Sequence, residues 1–73
     1  MNARVDNFSP DHEKLRTLLF DAMRRESVEV LNAVYGKTAS HPFIRGEFKL
    51  DREGKKVFEG RIIATEIVAT CVL

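Results

Sequence analysis

The chain of 73 residues has no tryptophan, one cysteine, two prolines and four isolated glycines, at positions 36, 46, 54 and 60. Each scarcity excludes something. Lone Cys71 leaves no internal disulfide framework and, with only His12 and His41 beside it, no zinc site. Single glycines supply neither a GxGxxG turn nor a GxxxxGK[ST] phosphate cradle. No apolar run exceeds three residues, as in Leu18-Leu19-Phe20, whereas a spanning helix needs about 20. The opening residues do not read as a basic-then-apolar leader, so no secretory signal is expected. Charge of one sign is also lacking. Twelve Lys+Arg against eleven Asp+Glu leave a net +1, too little to draw nucleic acid or an anionic membrane through a global field. Cys71 therefore reads as a small apolar strand residue in a reducing, cytoplasmic compartment.

What is present is the balance of a globular chain, 44% hydrophobic and 32% charged, with room for one domain. Residues 1–8 read as a tail with only Val5 and Phe8 to order it. Ser9-Pro10-Asp11 then opens a helix: Ser9 as N-cap, Pro10 at the first helical position, Asp11 and Glu13 in the first turn. Leu15, Leu18, Leu19, Ala22 and Met23 follow at the spacing of one buried face. Glu26 breaks that stripe and Ser27 offers a second N-cap. Residues 28–35 suit a second helix ending at Gly36 as a left-handed C-terminal residue, with a strand as the alternative. Residues 37–42 connect.

From Phe43 to Leu50 the pattern alternates. Asp51-Arg52-Glu53-Gly54 suits a type I turn followed by a left-handed glycine, the three-residue hairpin with a G1 bulge. That turn pairs Asp51 with Lys55 and so sets Phe48 against Phe58, Gly46 against Gly60 and Ile44 against Ile62. A slip by one would set Ile44 against Arg61. On the reverse face Glu47 then opposes Glu59 and Arg45 opposes Arg61, with relief expected from the Glu47–Arg61 and Arg45–Glu59 diagonals. The facing glycines predict a notch, filled by Leu19 or Met23 of the helix or by a partner. Residues 63–73 read as uninterrupted strand whose apolar parity changes near Glu66, which a bulge or bend would reconcile. Their C-terminal half needs another neighbour, from residues 28–35 or from a second chain. The expected architecture is α+β: an N-terminal helix, broken or not, packed on a small antiparallel sheet built around the hairpin.

Chemistry is sparse. Ser40-His41 is adjacency without a third orienting group, and Glu47 with Glu59 lacks a cavity, so the chain is expected not to be an enzyme and to need no cofactor. Protein binding fits better. Phe8 either packs beside the helix start or anchors a tail on a partner, together with Val5. Phe20, four residues from Arg16 and from Arg24, is either the edge of a broad core face or an aromatic–arginine interface cluster. Phe43, Arg45 and Lys49 on the hairpin complete the candidate partner-binding residues. The alternative is a small, dimeric DNA-binding regulator using Arg52, Lys55 and Lys56. Residues 49–56 hold four basic and two acidic side chains.

The Val5/Phe8 tail, the helix opened by Ser9-Pro10-Asp11 and the 43–63 hairpin together resemble one group. This is the small lytic-phage regulators that bind host bacterial RNA polymerase, of the Xanthomonas-phage transcription inhibitor and antiterminator type. The resemblance implies a cytoplasmic, non-enzymatic protein with no cofactor. It implies inhibition of transcription initiation by interference with sigma, and promotion of antitermination. The polymerase's large subunits would be the partner, and the physical means a coupling free energy of typically ~1–3 kcal/mol between two ligands of one surface.

Overall fold

Residues 10–71 are described by the computed structural model of the protein; Val5, Phe8 and the Ser9 cap lie outside them. Helix α1 runs Pro10–Arg25 and helix α2 Val28–Tyr35, followed by strands β1 (Ile44–Leu50), β2 (Lys56–Ile62) and β3 (Thr65–Thr70). The strands form one antiparallel sheet in the order β1-β2-β3. The class is α+β, with α1 on the sheet.

Helix α1 begins at Pro10 and carries Asp11 and Glu13 in its first turn and Arg24 and Arg25 in its last, matching both ends of its dipole. Leu19, Ala22 and Met23 are buried, with Leu15 packed at their edge. Leu18 is not part of this face: it is 42% exposed, while Phe20 packs partly against the core instead. Five apolar positions spanned a wider arc than the sheet covers. The chain breaks after Arg25, and Ser27 restarts it, its Oγ accepting from the Val30 N–H at 3.3 Å. The helix alternative for residues 28–35 is the one that forms.

Gly36 ends α2, but not as a left-handed residue. Its φ is −75° and ψ −179°, extended backbone open to any residue. Glycine is required there for space, because a Cβ would collide with the Asn32 carbonyl. Gly54 is the opposite case. Its φ is +81° with open space around it, so conformation alone selects glycine. The Asp51 carboxylate accepts from the Glu53 and Lys55 N–H groups, both at 2.8 Å, and the Asp51 N–H donates to the Lys55 carbonyl at 2.9 Å. The expected register results, with Ile44 on Ile62, Gly46 on Gly60 and Phe48 on Phe58.

Phe48 and Phe58 are the largest fully buried side chains among the described residues, their ring centroids 4.8 Å apart. Such a pair contributes ~0.5–1.5 kcal/mol beyond the area it buries. The Phe58 ring also fills the glycine notch: its edge lies 2.6 Å from where a Gly46 Cβ would stand and 2.8 Å from a Gly60 Cβ. The notch is thus occupied by an aromatic of the sheet itself, not by Leu19 or Met23.

The segment after β2 differs most from expectation. Ile63 and Ala64 make a two-residue turn, and β3 folds back on β2 with Ile62 opposite Thr65. Ile63 takes φ +58°, the only positive value among the described non-glycine residues. Positive φ at the first turn position alone is the sign pattern of a type II′ turn, where glycine is usual. No bulge near Glu66 is needed, because Ile67, Ala69 and Cys71 face inward and Val68 simply points out, 70% exposed.

Candidate partner-binding surface

Two hydrogen-bonding systems position the sheet under the helices. The Asn32 side chain, from α2, donates to the Phe48 carbonyl and accepts from the Phe48 N–H, both at 2.9 Å, standing in for a neighbouring strand. The Lys56 ammonium, from β2, donates to the Met23 and Glu26 carbonyls at 2.9 and 2.7 Å and so closes the C-terminus of α1. His41 holds the start of β1. Its Nδ1 accepts from the Ile44 N–H at 3.0 Å and the Phe43 N–H at 3.2 Å, which places the ring proton on Nε2. Tyr35 packs edge-on against this ring at 5.0 Å.

At the end of the sheet so anchored, the Ile63 N–H bonds the Phe43 carbonyl at 2.6 Å, carrying the β1–β2 ladder one pair further. Phe43 is 51% and Ile63 41% exposed. Together with Leu15 of α1 they line an open groove of about 290 Å³, with Asp11 and Lys14 completing its lining. The lining is apolar with one charge of each sign. A shallower depression of about 500 Å³ follows β2 and β3, lined by Glu59, Gly60, Arg61, Glu66, Ile67 and Val68.

Those of the residues expected to bind a partner that lie among the described residues are not gathered in one place. Of these, Phe43 alone lines the groove. Phe20 is half-buried against the core, and Arg24 is paired with Asp21 on the flank of α1. Arg45 and Lys49 stand on the helix-free face of the sheet, where Lys49 binds Glu59 at 2.9 Å and Arg45 reaches the Ala39 carbonyl at 3.4 Å. The hydrogen bond and charge of Glu59 raise the Lys49 pKa above its usual value. The expected diagonals do not form. Lys49 relieves Glu59, and Arg61 turns to Glu66 at 3.4 Å. On the hairpin tip Arg52 is exposed, Lys55 pairs with Glu53 at 2.9 Å, and Lys56 is committed to α1, which removes it from the basic tip.

Comparison of the chain with family models, with curated proteins and with solved structures gives no match. Function is therefore argued from this surface. No helix among the described residues is long and apolar enough to cross a membrane, and no group of three or more His, Cys, Asp and Glu among them is placed to hold a metal ion. Reading the sequence missed Ile63 and Leu15 as site residues, the first taken as strand and the second as core. The doublet Ile62-Ile63 was the available signal, since adjacent strand residues cannot both face one core.

Proposed function

We propose that this protein is a non-enzymatic, protein-binding regulator that captures an apolar side chain of its partner in the groove between Phe43, Ile63 and Leu15. One observation carries the reading. A β-branched residue at φ +58° costs on the order of 1–3 kcal/mol, and strain of this kind concentrates at functional positions. Ile63 bears that cost while holding its side chain 41% exposed beside Phe43, where glycine would serve the turn better. An exposed aromatic beside aliphatic walls, with charges at the rim, follows the apolar-centre, polar-edge layout of protein interfaces.

The sequence resemblance supplies the partner to try first, bacterial RNA polymerase, with interference with sigma and antitermination as the outcome. The test is capture of purified polymerase, with and without sigma, by the immobilised protein. The wild type should retain the polymerase and reduce sigma retention, while Phe43→Ala and Ile63→Gly lose at least about 10-fold in affinity, as truncation of central apolar contacts typically does. Folding of each variant is checked by circular dichroism. Equal retention by the wild type and both folded variants refutes the groove; no retention by the wild type refutes the polymerase.

A further inference from the structure

The two margins of the sheet are not alike. On β1 the outward backbone groups include the Ile44 N–H, taken up by His41, and the Phe48 N–H and carbonyl, taken up by the Asn32 side chain. On β3 the bond from the Cys71 N–H to the Lys56 carbonyl fixes the alternation: Thr65, Ile67 and Ala69 turn their backbone groups to β2. Glu66, Val68 and Thr70 turn theirs outward, and among the described residues none of these groups has a backbone partner. Within the strand itself, the devices that usually blunt such a margin are missing. Residues 65–70 hold no proline, no glycine and no lysine, one charge, and an unbroken ladder with β2. At its centre is Val68, the most exposed of the large hydrophobic residues among those described.

We propose that β3 pairs with β3 of a second copy of this chain, antiparallel about a two-fold axis at Val68, joining the two three-stranded sheets into one. The segment is complementary to itself in this register. Val68 meets Val68 of the second copy. Glu66 lies beside Thr70, a carboxylate next to a hydroxyl that can donate to it. Each copy's Ile67 lies beside the small Ala69 on the helix-covered side, so bulk meets space. The Glu66 carboxylates are four residues apart along the strands, about 14 Å, beyond the screening length of about 8 Å. A register centred on Glu66 would oppose them directly. Outward groups at 66, 68 and 70 supply about six new backbone bonds, two for each hydrogen-bonded pair. This pairing does not rest on the groove, because Phe43 and Ile63 take no part in it.

The test measures the molar mass of the full chain by sedimentation from about 1 to 500 μM, a span that covers weak to moderate self-association, with amide hydrogen exchange at each concentration. Doubling of the mass is expected, with exchange of the Glu66, Val68 and Thr70 amides slowed at least about 10-fold as dimer forms. Val68→Pro removes an outward N–H that β2 does not use, and Val68→Lys sets two ammonium groups face to face. Both should remain monomeric with unchanged circular dichroism. If the proline variant fails to fold, the lysine variant alone decides, with association weakened at least about 100-fold. Monomeric mass throughout, dimers that survive Val68→Lys, or edge amides whose exchange ignores concentration would each overturn the proposal.

Discussion

Replacing Asn32 by alanine removes one side chain from α2 but two hydrogen bonds from β1, both at 2.9 Å to the backbone of Phe48. Each bond is worth about 1 kcal/mol net. Phe48 is itself only 2% exposed, so water reaches its freed N–H and carbonyl poorly, and desolvation adds about 1–2 kcal/mol. Alanine's better helix propensity returns about 0.6 kcal/mol. The net loss should be about 2.5–3.5 kcal/mol, or on the order of 10–25 °C in Tm for a chain of this size. Urea denaturation reads it as a lower midpoint at unchanged slope. Asn32→Asp separates the two bonds. The carboxylate still accepts from the Phe48 N–H but repels its carbonyl, so at neutral pH the loss should equal or exceed that of alanine. Protonation restores a donor, and relative to wild type at the same pH the loss should shrink as pH falls through the carboxyl range near 4. A loss below about 0.5 kcal/mol for alanine would refute the argument, because two buried bonds cannot vanish so cheaply.

Gly60→Ala should cost about 3 kcal/mol or more, since its Cβ would meet the Arg45 carbonyl and stand 2.8 Å from Phe58 Cζ; thermal unfolding checks this. Lys56→Met should cost about 1–2 kcal/mol by freeing two carbonyls at the end of α1, and thermal unfolding checks this as well. The raised Lys49 pKa stabilises the fold below the unfolded value near 10.5, and this contribution disappears as pH rises through the higher folded value. Alkaline titration of stability should therefore show a small decline that Lys49→Met abolishes.

Local chemistry made much of this fold legible. Asp51 to Gly54 spells out its turn, and the turn dictates which residues face one another across β1 and β2. Ser27 marks the restart of the chain because its hydroxyl acts within three residues. Features that depend on distant partners were not legible. Asn32 reads as an indifferent helix residue until Phe48, sixteen positions away, comes beside it. Gly36 reads as a left-handed cap, although a carbonyl one turn back is what demands it. The Ile63-Ala64 turn carries none of the residues that usually announce one, since the pairing of β3 imposes a backbone that isoleucine does not favour. Of the groove, Phe43 could be read directly, whereas Ile63 was hidden by that same turn.

If the sheet pairs through β3 as proposed, the amide at position 32 bears on how far that assembly runs. An object with a single adhesive rim can only come together in twos and then stops, whereas one with two such rims elongates without limit. On the proposed pairing through β3, the Asn32 side chain closes the opposite rim at Phe48 and so favours a terminus over a link.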